Sequence, residues 1–278
     1  MTAWTATVQG VTIGAGTNYR WASMPDGFGI NNYRFDDIGL PRQDGMVAGD
    51  DRLGGRTFAF DVWILGNPSS QTAETRALTL KGAFQPLQAD VQMTFALSDL
   101  LTYTVTGRPR SCDVVLDKKF LGGTLRARCT FWCSDPRLFG GSIVSPFVLP
   151  SGGTGLTFNA TTNFTFGSAG SGGINNLINA GTYPTDWSAV FVGPLTDPVI
   201  EHIDQSATLG LSLVLGASDT LTLDSRTRSV LLNGTASRYS ALTPGSRWFQ
   251  LTPGSNTIRF RAGTGSGSMS VTYRPAYL

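Results

Sequence analysis

A single histidine, His202, serves a chain of 278 residues. A transition-metal site built from several imidazoles is therefore excluded, and any Ser-His-Asp triad would have to use that one ring. Lysine is almost as scarce, at Lys81, Lys118 and Lys119. Nearly all the basic character is thus arginine, the residue of planar, bidentate contacts and interfaces. Charged residues amount to 14%, against roughly 25% in ordinary soluble domains. The shortfall is not explained by a membrane span, because no run approaches the ~20 apolar residues that one needs. A net charge of +2 argues against an electrostatic nucleic-acid binder. Met1 to Gly10 shows no basic start followed by an apolar core, so no signal peptide is expected.

Cysteine is sparse as well. Cys112, Cys129 and Cys133 are odd in number and show no C-x-x-C spacing, which suits neither a disulfide framework nor a zinc site. Cys129 and Cys133 lie four apart in a strand pattern, a separation of roughly 13 Å that no disulfide spans. Buried free thiols, made in a reducing cytosol, are the expectation.

Against these absences, 41% of the residues are hydrophobic. A chain so poor in charge suits a protein whose faces are covered by partners. The charge is also unevenly spread. Residues 1–139 hold 14 basic and 13 acidic side chains, residues 140–278 hold 7 and 6. Between the halves, Phe139-Gly140-Gly141-Ser142 through Pro146, Pro150 and Ser151-Gly152-Gly153 reads as a linker. The expected organisation is a first domain over 1–139, a linker over 140–150 and a second domain over 151–278.

In the first half Phe58, Phe60, Val62 and Ile64 alternate with more polar neighbours, as a half-buried strand does. Val91 to Leu97, Leu101 to Val105 and Leu125 to Cys133 repeat the pattern. One helix is expected between them. Ser69 or Ser70 could cap it, Glu74 suits its first turn, Ala73, Ala77, Leu80 and Phe84 share one face, and Pro86 ends it. The second half shows no helical period. Leu209, Leu211, Leu213 and Leu215 alternate strictly, followed by Leu221 and Leu223, Val230 and Leu232, Ile258 and Phe260, then Met269, Val271 and Tyr273. Turn signals at Gly216, Asn233-Gly234, Pro244-Gly245 and Pro253-Gly254 separate them, the spacing of a β-sandwich. The phrase Leu-Thr-Pro-Gly-Ser occurs twice, at 242–246 and 251–255, and reads as two turns bracketing a short strand.

Candidate chemistry is thin. His202 stands beside Glu201 and Asp204, but no G-x-S-x-G elbow accompanies it. Asp36-Asp37 and Asp50-Asp51 are adjacent pairs that on extended chain point to opposite sides, whereas glycosidase chemistry needs two carboxyls facing each other. Asp44, Asp50 and Asp51 lack the spacing of a calcium loop. Gly263, Gly265 and Gly267 precede a strand pattern, and a phosphate cradle must lead into a helix. No catalytic activity, cofactor or metal is expected.

Two stretches resemble the siphophage distal tail proteins. The first is Leu40 to Gly66, with Arg42, Asp44-Gly45, Gly49 and Gly55-Arg56, followed by the helix and by Phe131-Trp132-Cys133-Ser134-Asp135-Pro136. The second is Asn179-Ala180-Gly181-Thr182-Tyr183-Pro184-Thr185, the Gly193-Pro194 and Asp197-Pro198 corners, the strand Asp219 to Asp224, Asn233-Gly234, and Ser246-Arg247-Trp248-Phe249-Gln250 through Ile258. The resemblance covers most of the chain and rests on the order of elements rather than on one motif. It implies a mainly β protein: an N-terminal sandwich-like or barrel-like domain with one helix, plus a C-terminal galectin-like β-sandwich. It further implies a six-fold ring at the distal end of the tail tube. Its partners would be other copies of itself, the tail tube protein, the tape measure protein, and a tail-associated lysin or fibre and receptor-binding proteins. DNA would pass through the lumen without sequence reading, no membrane would be entered, and the ring would be assembled in the host cytoplasm for the virion tail tip. Closed rotational symmetry calls for one heterologous interface repeated around the axis.

Pro41 to Gly55 is the expected ring-closing segment. It is long, lacks alternation and is framed by glycines, and such loops are usually functional or disordered. Met46, Val47 and Leu53 offer apolar anchors, while Arg42 and Arg52 could pair with carboxylates on the next subunit. The other reading is a carbohydrate-binding module or adhesin for a host cell-wall glycan. The galectin sugar constellation does not carry over, since Trp248 is followed by Phe249-Gln250 and His202 begins no H-x-N-x-R.

Overall fold

A computed structural model describes residues 4–29, 33–66, 72–98, 101–115, 123–150, 157–158, 164–165 and 173–278. The chain divides into two compact units, Met1–Gly141 with Tyr277–Leu278, and Ser142–Ala276. Both are mainly β, and the one α-helix among the described residues lies in the first.

The first unit is built on the strands that alternate most clearly. Arg56–Leu65 buries Phe58, Phe60, Val62 and Ile64, and pairs on one side with Thr124–Cys133 and on the other with Tyr19–Asp26. Thr124–Cys133 buries Leu125, Ala127, Cys129, Phe131 and Cys133. Its other neighbour is Thr102–Val115, a strand far longer than the Leu101–Val105 pattern suggests. Residues 102–107 pair with Val91–Ala96, while 108–115 pair with Thr124–Cys133. The change of partner falls at Gly107 and Pro109. A side chain at Gly107 would stand 2.2 Å from the Trp132 carbonyl oxygen, and the register shifts between Pro109 and Ser111. A proline is tolerated at such a bulge because no ladder donor is needed there. Val91–Ala96 also pairs with Thr5–Val8, which turns back through Gln9-Gly10 to Val11–Gly14. Both turn residues have positive φ, 45° and 79°, as a tight hairpin of matching twist requires.

The helix spans Ala73–Ala83. Its cap is Thr72, whose hydroxyl accepts from the Thr75 amide; Ser69 and Ser70 lie outside the described residues. Ala73, Ala77, Leu80 and Phe84 are buried as expected, and Phe84 meets Phe60 edge-on at 6.0 Å. Arg76 is buried on the same face, where it donates to the Leu65 carbonyl. Phe28, Phe58 and Phe95 form an aromatic cluster with centroids 4.9–5.4 Å apart.

The second unit is a two-sheet sandwich. One sheet runs Ile143–Val148, Ser268–Tyr273, Trp187–Val192, Thr220–Asp224, Ser229–Leu232, Ala236–Ser237. The other runs Ile174–Asn179, Gly254–Arg261, Val199–His202, Ala207–Gly210. Their inner faces meet in Trp187, Phe191, Leu221, Leu223, Ile200, Ile258, Phe260 and Val271. Ile143–Val148 falls in the stretch read as linker, yet it is paired along its length with Ser268–Tyr273. Glycine, proline and serine around it masked a strand whose outward residues are exposed. The Leu209–Leu215 alternation also conceals a break. Ala207–Gly210 pairs with Val199–His202, whereas Val214–Leu215 joins Leu195–Thr196 in a separate small sheet. Leu209, Leu211 and Leu215 are all buried, so the period records the buried face and not the pairing partner. No strand lies between the two Leu-Thr-Pro-Gly-Ser turns; the first residue of the second, Leu251, makes an isolated bridge with Thr185.

Candidate assembly surface

Pro41 to Gly55 is not an unpatterned loop. It is the returning half of a narrow hairpin in the first unit. Tyr33–Arg34 pairs with Arg52–Leu53, and Ile38–Gly39 pairs with Met46–Val47. The Leu40 amide donates to the Gly45 carbonyl at 3.2 Å and closes the tip. Gly45 at φ 119° and Arg42 at φ 65° make that turn. Lower down, the Gly49 amide donates to Asp37 Oδ1 at 3.0 Å. A Cβ at Gly49 would come within 2.2 Å of the Asp36 carbonyl oxygen, so only glycine fits.

The hairpin carries apolar side chains that it cannot bury. Ile38 is 70% exposed, Met46 64%, Phe35 61% and Val47 54%. Tyr33 and Phe35 stack on each other at 5.9 Å and are exposed too. Large apolar groups gathered on a thin two-stranded element differ from singly scattered ones, which need no explanation. Charges of both signs surround them: Arg34, Arg42 and Arg52 with Asp36, Asp37, Asp44, Asp50 and Asp51. Arg52 lies 3.6 Å from Asp50, and both are exposed, a pairing that contributes little in water.

All five residues singled out from the sequence, Arg42, Met46, Val47, Arg52 and Leu53, sit on this hairpin. Leu53 is partly covered; the others are exposed. Sequence reading missed Tyr33, Phe35 and Ile38. Their signal was present as apolar residues alternating with Arg34, Asp36 and Asp37.

The other sequence candidates have structural surroundings. The Glu201 carboxylate binds Arg259 and Arg261 at 2.6 and 3.1 Å. His202 is buried, its Nε2 2.9 Å from Asn256 Oδ1 and its Nδ1 accepting from the Gln205 amide at 3.3 Å. Asp204 accepts from the Thr257 amide at 2.7 Å, which together with the other contacts there holds its carboxyl below the usual carboxylate range. The thiols are free. Cys112 and Cys129 face each other across the sheet with sulfurs 3.6 Å apart. That contact and burial push the Cys129 thiol up, while burial pushes Cys133 up to about 12. Both stay protonated and poorly nucleophilic at neutral pH. No cluster of metal-ligating side chains occurs among the described residues.

The two stretches that carried the sequence resemblance are each drawn together by the fold. In the first unit Arg56 pairs with Cys133, and Gly55 lies against Trp132 so closely that a Cβ would be 3.0 Å from its indole nitrogen. In the second unit the buried Asn179 amide donates to the carbonyls of Tyr183 and Leu251 at 2.9 and 3.1 Å. Gly181 packs against Ala276 where no side chain would fit.

Residues 180–277 match the family model of the siphovirus-type tail component, C-terminal domain. No curated protein matches the chain significantly in sequence. Among solved structures, the Dit protein of phage SPP1, described as a paradigm of the hub adsorption apparatus in phages infecting Gram-positive bacteria, superposes with a TM-score of 0.71. The match covers 99% of both chains at 15% identity. Two structures of the phage p2 baseplate in its activated conformation, with calcium and with strontium, match at a TM-score of 0.50. They are 7% and 6% identical and cover 97% and 96% of this chain, and 97% of theirs in each case. The second unit thus matches the siphovirus-type tail component domain over residues 180–277, and the chain has from end to end the fold of SPP1 Dit.

Proposed function

We propose that the chain is a structural subunit of a siphophage tail tip, that it closes into a ring, and that the hairpin Tyr33–Leu53 of each copy seats on its neighbour. The observation that carries this reading is the exposed apolar set on that hairpin, chiefly Phe35, Ile38, Met46 and Val47. A two-stranded ribbon is marginal alone in water. Covering its apolar side chains at ~25 cal/mol per Å² would contribute a few kcal/mol per subunit, repeated at each interface. Arg42 and Arg52 would fix the register against carboxylates of the neighbour. The family resemblance favours six copies, galectin-like domains outside the ring, and a lumen for DNA. The neighbours would be the tail tube and tape measure proteins on one side and lysin, fibre or receptor-binding proteins on the other. The described fold and the baseplate likenesses are compatible with a structural role at the virion tail tip rather than a catalytic one.

Mass photometry and negative-stain microscopy of the purified chain test the reading. The unmodified protein should give closed rings. Ile38→Asp combined with Val47→Asp should give folded monomers, with circular dichroism and thermal transition preserved because neither side chain belongs to a core. Rings of unchanged size and salt resistance from the double variant would remove the hairpin from the interface.

A further inference from the structure

An open cavity of about 500 Å³ lies in the second unit. Its floor is Phe249, buried between Trp187, 4.8 Å away, and the ring of His202, 5.2 Å away. Its polar walls come from Asp186, Gln205, Arg226, Arg228, Trp248 and Gln250. These arrive from four separate stretches of chain, and several are held in place. Gln250 Nε2 donates to Asp186 Oδ1 at 2.7 Å, and Gln205 Nε2 donates to the Gln250 carbonyl at 2.8 Å. Groups fixed in advance lose little freedom when a ligand arrives.

Two further features mark the cavity. Among the described residues, two buried side-chain polar atoms have no hydrogen-bond partner, and one is the indole nitrogen of Trp248. Leaving a buried donor unmade is costly; Trp248 lies on the cavity wall with that nitrogen turned inward, away from solvent. Among the described residues the Arg228 side chain has no hydrogen-bond or ion-pair partner, and its backbone is held at φ 50°. The turn that holds it is fixed by the Thr227 amide donating to Asp224 Oδ1 at 2.8 Å. Arginine is disfavoured in the left-handed region, and such strain tends to persist where a side chain has work to perform.

The volume falls in the range of small-ligand sites. An apolar ligand would strand the amides and the carboxylate on the walls. A lone cation is poorly served where two guanidinium groups outnumber one carboxylate. An indole beside planar amide, carboxylate and guanidinium groups suits a ring that shows an apolar face of C–H bonds and an edge of vicinal hydroxyls. The surplus positive charge adds a preference for an acidic substituent. We infer that this cavity binds an anionic saccharide unit, with Trp248 against the sugar ring and Arg228 at its carboxylate or phosphate.

Isothermal titration calorimetry of the full chain, with glucuronic acid, glucose 6-phosphate, glucose and inorganic phosphate as separate probes, tests this. One or both charged sugars should bind at least about tenfold more tightly than glucose or phosphate, the scale of one charge-assisted contact. Arg228→Gly should weaken the charged sugars by about tenfold while leaving the melting temperature unchanged or higher, since glycine adopts that backbone freely. Glucose binding as well as the charged sugars would overturn the acidic preference. Inorganic phosphate binding as well as glucose 6-phosphate would reduce the site to a simple anion site. Binding of none of the probes, or full binding by the Arg228→Gly chain, would overturn the assignment itself.

Discussion

Asn256 organises one end of the second unit from a fully buried position. Its amide donates to the carbonyls of Leu177, Thr252 and Gly254 at 3.3, 2.8 and 3.0 Å. Its own carbonyl accepts from the Thr252 amide and hydroxyl at 2.9 and 3.1 Å and faces His202 Nε2 at 2.9 Å. Replacing it by leucine keeps the bulk and strands these partners, each at a cost of about 1–3 kcal/mol. Asn256→Leu should therefore lower the unfolding free energy by at least about 3 kcal/mol, read as a lower urea midpoint for the second unit. An unchanged midpoint would mean that the network is not what fixes this corner. His202 belongs to the same network, which accounts for the lone histidine without any chemistry.

At the scale of elements, the hairpin Tyr33–Leu53 depends on glycine more than on its short strands. The Asp36 carbonyl oxygen occupies the space a Cβ at Gly49 would need. Gly49→Ala should push the two arms apart and misplace Met46 and Val47, neither of which touches the core. The expected outcome is smaller or fewer rings in mass photometry with a thermal transition within a degree or two of the unmodified protein, as for surface changes worth under ~0.5 kcal/mol. A large fall in melting temperature would show instead that the hairpin supports the core. The helix is the contrasting case. Ala77, Leu80 and Phe84 were readable as its buried face because they contact one sheet at helical spacing, while its cap, Thr72, sits beside segments that gave no local signal to choose among Ser69, Ser70 and Thr72.

At the scale of the molecule, the chain leaves its first unit near Gly141, builds the second, and returns its last two residues to the first. There Tyr277 meets Tyr103 edge-on at 5.1 Å. We expect the units to fold independently, as the glycine-rich junction and the change in charge density suggest. Limited proteolysis should cut at Gly140 to Ser142 and spare 143–148, whose backbone is paired with Ser268–Tyr273. One protected fragment running through the junction would count against independent units.

By itself the sequence determined which residues face inward. Alternation at Phe58–Ile64, Leu125–Cys133, Leu221–Leu223 and Met269–Tyr273, the helical stripe, and the turns at Asn233-Gly234 and Pro253-Gly254 are local signals, because the pleat and the turn act over a few residues. They set the class, mainly β with one helix, and the order of elements that carried the family resemblance. Only the tertiary structure decided which strand pairs with which. The partner of Cys112 is Cys129, Thr102–Val115 serves two neighbours, and Leu209–Leu215 divides between two sheets, since a period of two is blind to the identity of the adjoining strand. The cavity of Trp248 was hidden for the same reason: it gathers side chains from distant segments, and that proximity is a property of long-range packing that no local pattern encodes.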